Sequence, residues 1–267
     1  MQTMSISTIS EIKELLQRFL KKLGYEVIIS GHKGGITVYN NFPQDMDEDF
    51  KAVYELCRDY TATSIERMYG LFKAIKFVID ANIPGDFVEC GVWKGGSAML
   101  MAYTLSHMQD TTRKIYLYDT FAGMTKPTEK DTLIADGSPA SKTWKKLQKD
   151  NYNEWAFSPI EEVKNNMLMT NYPQDNIVYV KGKVEDTIPA TVPDKIALLR
   201  LDTDWYESTY HELKHLLPLL SQRGVLIIDD YGHFAGAKEA VDTYFKENRI
   251  AMLLNRIDYT GRIGIKI

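Results

Sequence analysis

Four aspartates lie in two short segments of the C-terminal half, each directly after an apolar stretch. Asp202 and Asp204 follow one stretch, and Asp229 and Asp230 follow the next. Alternation along an extended strand places Asp202 and Asp204 on one face, and an adjacent parallel strand would bring the second pair beside them. Clustered carboxylates are costly to desolvate, and Mg²⁺ or Ca²⁺ prefers oxygen ligands. The pattern predicts a divalent-metal site, although single aspartates at such places are often turn or helix-cap residues.

A glycine-rich segment extends from Glu89 to Ser97, after a strand-like run and before a helical one. Gly91 and Gly95 allow the backbone to turn tightly and to approach a ligand closely. The spacing differs from the dinucleotide motif GxGxxG, and the bulky Trp93 stands where such a site needs glycine. An acid at the strand end suits a cationic or hydroxyl-bearing ligand better than a pyrophosphate. The segment predicts a ligand-binding turn, with an ordinary strand-to-helix turn as the alternative.

Asp119 ends a second strand-like run, Lys-Ile-Tyr-Leu-Tyr-Asp. An acid after the second strand of a nucleotide-binding sheet typically accepts hydrogen bonds from ribose hydroxyls. Together with the glycine-rich segment, Asp119 predicts a ligand that contains ribose, while a turn or helix-cap aspartate is the alternative.

The five histidines form no HExxH zinc motif. His211 and His215 are four residues apart, a spacing that could hold a metal but that is more often found on a helix surface. His233 follows the second aspartate pair closely, so it is expected near the predicted site, where it could contact a ligand.

Length and composition limit the classes of protein that this chain can be. It has 267 residues, of which 44% are hydrophobic and 25% charged, and its net charge is −4. These values fit a globular α/β protein and do not favour binding to nucleic acid or to an anionic membrane surface. The two cysteines, Cys57 and Cys90, form no CxxC pair, which fits a reduced, cytoplasmic location. We find no signal peptide and no apolar run long enough to span a membrane.

The elements that position these residues are predicted from hydrophobic periodicity. Strands are expected at 25–29, 86–90, 114–118, 176–180, 195–201 and 225–228, and two more within 250–267, joined through 258–261. Helices are expected at 12–23, 47–57, 65–81, 96–107, 207–220 and 235–248. Such alternation predicts an α/β fold with a mostly parallel sheet and helices on both faces. Ligands of these sheets bind at the carboxyl ends of the strands, where the acids and glycines fall.

Four motifs, in this order, resemble those of the macrocin O-methyltransferase family, which includes the macrolide-sugar methyltransferases of tylosin and mycinamicin synthesis and the noviose methyltransferase of novobiocin synthesis. They are residues 85–97 (GDFVECGVWKGGS), 118–124 (YDTFAGM), 199–209 (LRLDTDWYEST) and 227–233 (IIDDYGH). The resemblance extends over about residues 61–245. It implies a Rossmann-like class I methyltransferase fold, with a seven-stranded, mostly parallel sheet and an antiparallel C-terminal strand.

The resemblance also implies S-adenosylmethionine as methyl donor, a Mg²⁺ ion, and a sugar hydroxyl of a small molecule or glycoside as acceptor. Matched position by position, Asp202, Asp229 and Asp230 correspond to metal ligands, and Asp204 corresponds to the general base. Cofactor contacts are expected at Thr63, Ser64, Arg67, Glu89, Gly91, Trp93, Gly95, Ser97, Asp119 and Gly182. Acceptor contacts are expected at His233, Tyr206 and Trp144. For residues 63–67 the alternative is a helix cap with a charge pair in the first turn.

The expected chemistry is limited by the weak acidity of a sugar hydroxyl. A divalent metal would lower the pKa of that hydroxyl and a carboxylate would take its proton, which explains a fourth acid beside three ligands. A nicotinamide-dependent oxidoreductase is one alternative, but it needs GxGxxG. A haloacid-dehalogenase-type phosphatase needs its nucleophilic aspartate at the start of the sheet. A non-catalytic, metal-dependent glycan-binding module leaves Glu89 and Asp119 without a role.

The predicted domains are an N-terminal helical, substrate-side extension over 1–60 and a methyltransferase domain over 61–267. The connection 123–175 is far longer than one helix and its loops require. It begins at the predicted active site and carries the aromatic residues Trp144, Tyr152, Trp155 and Phe157. We therefore expect a lid over the acceptor, formed with part of 39–60, and the alternative is an extra packed helical layer. The resemblance further implies a homodimer.

Overall fold

Two short antiparallel strands come first in the described part of the chain. The computed structural model describes residues 25–29, 36–40 and 42–267, and the chain divides into two compact units, Met1–Ala52 and Val53–Ile267. In the first unit, β1 (Tyr25–Ile29) pairs with β2 (Ile36–Asn40). Helix α1 (Glu48–Cys57) begins in that unit and ends in the second. The predicted strand at 25–29 is confirmed, and the predicted helix at 12–23 lies outside the described residues.

A seven-stranded sheet forms the centre of the second unit. Its order is β5-β4-β3-β6-β7-β9-β8, in which β9 pairs antiparallel with both β7 and β8 and the other pairs are parallel. The strands are β3 (Asp86–Cys90), β4 (Ile115–Asp119), β5 (Ile177–Lys181), β6 (Ile196–Leu201), β7 (Leu220–Ile228), β8 (Asn255–Arg256) and β9 (Arg262–Ile265). The predicted fold class, a mostly parallel seven-stranded sheet with an antiparallel strand near the C-terminus, is confirmed.

The helices of the second unit pack in two groups. Helices α2 and α5 contact α3, while α6 and α8 contact α7. Their bounds are α2 (Ile65–Asp80), α3 (Gly96–His107), α4 (Ala140–Leu147), α5 (Ile160–Leu168), α6 (Val184–Thr187), α7 (Tyr206–Leu216) and α8 (Ala235–Glu247). Among the described residues, no helix combines the length and apolar character that crossing a bilayer requires.

Strand β6 lies in the middle of the sheet and is buried along its whole length. All six of its residues are buried, including the charged Arg200. Strands that are covered on both faces read as continuous apolar runs, and the sequence of β6, Ile-Ala-Leu-Leu-Arg-Leu, departs from that rule only at Arg200. A guanidinium in such a strand needs ionic partners nearby.

The parallel pairing brings the predicted site residues to one edge of the sheet. Hydrogen bonding continues one residue beyond the strands, because the amides of Gly91, Gly182, Asp202 and Asp229 donate to neighbouring strand carbonyls at 2.8 to 3.0 Å. These four residues therefore lie side by side at the carboxyl ends of β3, β5, β6 and β7.

The predicted element bounds are within one residue of the observed ones for most of the sheet and its helices. The exception is the passage from α7 to β7, where one helix was expected over 207–220. Helix α7 ends at Leu216, a short 3-10 turn covers Leu217–Leu219, and β7 begins at Leu220. Pro218 has no N–H to continue the helical hydrogen bonds, so the helix ends just before it although the apolar periodicity of the sequence continues.

The first part of the long connection after β4 is bonded to the loops that bear the aspartates. The buried Asp131 accepts a hydrogen bond from the Tyr206 amide at the start of α7, 2.8 Å away. The Ile134 amide donates to the His233 carbonyl at 2.9 Å. Residues 131–134 are therefore anchored beside the ends of β6 and β7.

Candidate active site

A cavity of about 590 Å³ opens at the carboxyl ends of β3, β4, β6 and β7. Twelve of the predicted site residues line it: Thr63, Arg67, Gly91, Trp93, Ser97, Asp119, Gly182, Asp202, Asp204, Asp229, Asp230 and His233. The predicted metal ligands, the predicted base and seven of the ten predicted cofactor residues thus line one cavity, which agrees with the rule that such sheets bind ligands at their strand ends.

The glycine-rich turn after β3 passes very close to the aspartate-bearing loop. Gly91 has a φ of +85°, and a Cβ there would stand 2.0 Å from the Asp202 carbonyl oxygen, so only glycine fits. Gly95, with a φ of +89°, is the N-terminal cap of α3. Trp93 adopts a positive φ of 49° and lines the cavity. The turn therefore forms one wall of the cavity with its backbone exposed to a ligand.

Asp119 holds this turn in place as well as facing the cavity. Its Oδ2 accepts hydrogen bonds from the amides of Val92 at 2.7 Å and Trp93 at 3.1 Å, and its Oδ1 accepts from Phe121 at 2.7 Å. Burial raises the pKa of Asp119, and these amides counteract the effect by stabilising the carboxylate. Each carboxylate oxygen has two lone pairs, so Oδ2 is fully used by the two amides, whereas Oδ1 accepts one amide and only a long contact of 3.4 Å from the Thr120 hydroxyl. Oδ1 is therefore the oxygen that could accept a hydrogen bond from a ligand in the cavity.

Three aspartates face a common point. One carboxylate oxygen from each of Asp202, Asp204 and Asp230 lies within 4.8 Å of the other two. Burial raises the pKa of Asp202 and of Asp230 well above the ordinary range, and neighbouring carboxylates add to it. Burial likewise raises the pKa of Asp204 to about 7. A cation at this point would relieve the repulsion and favour the ionised forms.

Asp229 differs from the other three acids because two arginines pair with it. Arg200 Nη2 lies 2.5 Å from Asp229 Oδ1, and Arg67 Nη1 contacts Asp229 Oδ2. Arg200 also contacts Asp202 Oδ2 at 2.8 Å and Glu89 Oε1 at 2.7 Å. Arg200 thus connects the acid of the glycine-rich segment with two acids of the predicted metal site.

Glu89 does not line the cavity, although its neighbours Gly91 and Arg200 do. Its side chain is 1% exposed, and burial raises its pKa to about 7 although Arg200 opposes that shift. Its second oxygen, Oε2, has no hydrogen-bond partner among the described residues. A buried acceptor without a partner is unusual, and it marks a place where a ligand donor would be stabilised.

Ser64 acts as a helix cap and lies outside the cavity lining. Its Oγ accepts a hydrogen bond from the Arg67 amide at 3.2 Å and donates to Asp258 Oδ2 at 2.7 Å. Asp258 also pairs with Arg67 Nε at 3.0 Å. The cap interpretation of this segment therefore describes Ser64, while Thr63 and Arg67 reach the cavity.

His233 lines the cavity together with the aromatic residues around it. The His233 ring packs edge-on against Phe234, with centroids 4.5 Å apart, and its Nδ1 lies 3.5 Å from the Tyr259 hydroxyl. Burial and the nearby Arg67 lower the pKa of His233, so the neutral ring is favoured. Trp155 and Phe157 from the long connection also line the cavity, and the Trp155 ring lies 6.3 Å from that of Phe234.

Two residues that were predicted to contact the acceptor lie outside the cavity lining. Trp144 Nε1 donates to the Met124 carbonyl at 2.9 Å. Tyr206 stacks on Tyr210, and the Lys130 ammonium lies 3.4 Å from its ring centroid. The direction of each side chain depends on the packing of the segment 120–160, which local sequence patterns do not indicate.

Arg200, Asp258 and Glu212 were not predicted as site residues. Arg200 could have been recognised as the one charged residue in the otherwise apolar sequence of β6. Glu212 is completely buried on α7 and accepts a hydrogen bond from Thr203 Oγ1 at 2.9 Å. Asp258 lies 194 residues from its partner Ser64, and no local pattern could indicate that contact.

Proteins of known activity resemble this chain in sequence and in fold. Residues 35–263 match the family described as Macrocin-O-methyltransferase (TylF). A tetracenomycin-C rhamnosyl 4'-O-methyltransferase of Streptomyces olivaceus is 32% identical over 76% of this chain and 74% of its own. Demethyldecarbamoylnovobiocin O-methyltransferase of Streptomyces niveus is 33% identical over the same shares. The solved O-methyltransferase NovP is 31% identical, with a TM-score of 0.67, over 78% of this chain and 82% of its own.

These matches do not favour the phosphatase or the glycan-binding module, and the predicted family resemblance is confirmed. The match covers most of the chain and includes all four motifs that surround the cavity. The chain is an O-methyltransferase and belongs to the macrocin O-methyltransferase family.

Proposed function

We propose that this enzyme transfers a methyl group from S-adenosylmethionine to a hydroxyl of a sugar, in a glycosylated natural product or a glycan, with the help of Mg²⁺. The observation that carries the proposal is the single cavity in which the glycine-rich turn and the acid cluster meet. Its relatives that methylate rhamnosyl and novobiocin substrates support a sugar acceptor. Cytoplasmic location and homodimerisation stay predictions from the sequence.

The cofactor half of the site is proposed at the glycine-rich turn. S-adenosylmethionine supplies a methyl group on a sulfonium, which needs no further activation. Asp119 would accept a hydrogen bond from a ribose hydroxyl. Glu89, whose Oε2 has no partner among the described residues, would accept a hydrogen bond from the ammonium group of the amino-acid moiety. Gly91, Trp93 and the residues Gly95, Ser97, Gly182, Thr63, Ser64 and Arg67 would shape or close this half.

We expect Asp119→Asn to raise the dissociation constant of S-adenosylhomocysteine at least tenfold, since a hydrogen bond to a charged group contributes about 1.5–3 kcal/mol. Asparagine keeps one oxygen for the Val92 and Trp93 amides but turns an N–H toward the Phe121 amide, so we expect some loss of stability with the fold retained. Titration calorimetry measures the affinity, a thermal melt checks the fold, and the exposed Asp175→Asn is the matched control. An unchanged affinity in a folded Asp119→Asn variant would contradict the ribose role.

The residues present fit a divalent cation. Hard oxygen donors converge in Asp202, Asp204 and Asp230, and their raised pKa values show the cost of holding them together without a counter-charge. We propose Asp202, Asp229 and Asp230 as ligands. The arginine pairs of Asp229 leave each of its oxygens a second lone pair. When bound, Mg²⁺ supplies positive charge that lowers the pKa of a nearby hydroxyl.

Asp204 is proposed as the general base. Its carboxylate faces the same point as the carboxylates of Asp202 and Asp230. Unlike Asp202 and Asp229, it has no ion pair with an arginine among the described residues. It would hold the acceptor hydroxyl by a hydrogen bond and take its proton as the oxygen attacks the methyl carbon. The surrounding turn and the aromatic wall would keep the two reactants aligned and exclude water.

The connection 123–175 is proposed to cover the acceptor. Trp155, Ala156 and Phe157 line the cavity wall, and the ring of Phe157 packs on that of Tyr152 with centroids 4.5 Å apart. Bulky aromatic surface beside hydrogen-bonding groups suits a ligand with apolar and polar parts. Because residues 131–134 are hydrogen-bonded to the loops after β6 and β7, we propose that only the part of the connection after residue 134 moves as a lid. Within 39–60, Tyr60 lines the cavity.

We expect the amides of 144–157 to exchange with solvent in the free enzyme and to become protected when cofactor and acceptor are both bound. Deletion of 144–157 should cripple methylation while cofactor binding stays measurable. Hydrogen exchange read by mass spectrometry tests the first outcome, with β6 as the internal reference. If these amides are as protected as those of β6 in the free enzyme, the segment is core structure and not a lid.

The function itself is tested by two measurements. Calorimetry with S-adenosylmethionine should show binding. The lack of binding at about 1 mM, the upper end of ordinary KM values, would overturn the proposal. Incubation with methyl-labelled cofactor and a panel of glycosides, followed by mass spectrometry, should give a product labelled on a sugar oxygen. Label on nitrogen, carbon or an aglycone hydroxyl would contradict the sugar assignment.

A further inference from the structure

Asp204 sits at the centre of a tight three-residue turn. Its φ is +69°, and the Trp205 amide donates a hydrogen bond to the Thr203 carbonyl at 2.8 Å. A bond from residue i+2 to residue i around a positive φ defines the rarer, strained form of the γ-turn. A residue with a Cβ persists in such a conformation only when its surroundings hold it there.

Thr203 is held on its carbonyl and on its side chain. Its carbonyl accepts the Trp205 amide and also the Ser208 hydroxyl, 3.4 Å away. Its Oγ1 donates to Glu212 Oε1 at 2.9 Å. The Asp202 amide, one residue earlier, is bound to the Cys90 carbonyl at 2.8 Å. The side-chain bond to Glu212 therefore connects the turn to the second turn of α7.

Glu212 is an unusual residue for its place in the core. It is completely buried, and its Oε2 has no hydrogen-bond partner among the described residues. Burial raises its pKa well above the ordinary range, so the neutral carboxyl is favoured. It lies outside the cavity lining. A leucine would fill this space without the cost of burying a carboxyl, so packing alone does not explain the residue.

We propose that Glu212 and Thr203 are positioning residues whose hydrogen bond holds the strained turn and thereby aims the Asp204 carboxylate at the acceptor hydroxyl. The inference rests on the proposed role of Asp204 as general base. Glu212 does not line the cavity, whereas Thr203 does, so the Glu212 variants test positioning without any direct contact with cofactor or acceptor. A displacement of a reacting group by about 1 Å can cost on the order of 10²-fold in rate, so even a small relaxation of the turn should be visible in kcat.

The test compares variants of nearly equal shape. Thr203→Val removes the hydroxyl and keeps the volume, while Thr203→Ser keeps the hydroxyl. Glu212→Leu removes the acceptor, while Glu212→Gln keeps an acceptor oxygen. We expect kcat to fall about 10- to 100-fold in Thr203→Val and Glu212→Leu and to stay within about threefold of wild type in the two conservative variants. The affinity for S-adenosylhomocysteine should stay unchanged in all four.

Two further measurements separate positioning from a merely structural role. The double variant Thr203→Val/Glu212→Leu should lose no more than either single variant, because residues in one hydrogen bond act as a unit. Crystal structures should show the Trp205–Thr203 bond and the positive φ of Asp204 lost in Thr203→Val and kept in Thr203→Ser.

Full kcat in Thr203→Val would overturn the proposal, and so would a crystal structure of that variant with the turn intact. A parallel loss of kcat, cofactor affinity and melting temperature in both Thr203 variants would show a structural role only. If wild-type enzyme methylates no sugar hydroxyl, the proposed function fails, and the crystal structures still decide whether this bond holds the turn.

Discussion

Asp204→Asn should lose on the order of 10²-fold or more in kcat, because the amide cannot take a proton from the acceptor hydroxyl. Asparagine has nearly the same shape, so the turn around position 204 and the affinity for S-adenosylhomocysteine should be almost unchanged. Steady-state kinetics with methyl-labelled cofactor gives kcat, and calorimetry gives the affinity. The exposed Glu207→Gln, three residues away, is the control and should behave as wild type.

The pH profile gives a second readout of the same residue. The base must be ionised, so kcat should rise with pH as Asp204 loses its proton. Burial raises the pKa of Asp204 to about 7 in the metal-free chain, and a nearby cation lowers it, so the rise should lie at or below about pH 7. Asp204→Asn should abolish this limb of the profile. If the variant loses cofactor affinity while kcat is retained, the role belongs to another residue.

Removal of divalent metal should abolish turnover, and added Mg²⁺ should restore it. The reason is that the acceptor hydroxyl is a very weak acid, and a carboxylate alone cannot remove its proton fast enough at neutral pH. Asp229→Asn and Asp230→Asn should be nearly inactive while folded, and Asp136→Asn, an exposed loop residue, serves as the control. Assays with and without EDTA measure turnover.

Direct metal binding gives a readout that does not depend on the acceptor. Mn²⁺ titrations followed by electron paramagnetic resonance should give a weaker site in Asp202→Asn and Asp230→Asn than in wild-type enzyme. A weaker site in Asp229→Asn as well would support its role as a ligand despite the two arginine pairs. Full turnover of EDTA-treated, metal-free enzyme would refute the metal hypothesis.

The arginines explain how so many acids coexist at one edge of the sheet. Arg200 is 2% exposed and contacts Glu89, Asp202 and Asp229, and Arg67 contacts Asp229 and Asp258. Buried charges persist when they are paired and fully hydrogen-bonded. Of the four aspartates after β6 and β7, Asp204 and Asp230 have no arginine pair among the described contacts, and both face the point proposed for the cation.

The positions of the site residues along the sheet could be predicted from the sequence. Apolar runs indicated the strands, and Gly91, Asp119, Asp202 and Asp229 fall directly after them or at their ends. Parallel strands end at one edge, so their convergence on one cavity follows from topology alone. The motifs around these residues also identified the family. These features depend on the periodicity and spacing of the chain, which a sequence displays directly.

Which side chains meet within that edge was decided by the tertiary structure alone. Periodicity assigns a residue to a face, but contacts such as Arg200 with Asp229 and Thr203 with Glu212 depend on the register of strands and the angle at which α7 leaves the sheet. The direction of Trp144 depends in the same way on packing between distant segments. The sequence therefore determined the fold, the family and the site edge, whereas the ion pairs and the strained turn at Asp204 arise only when separate elements pack together.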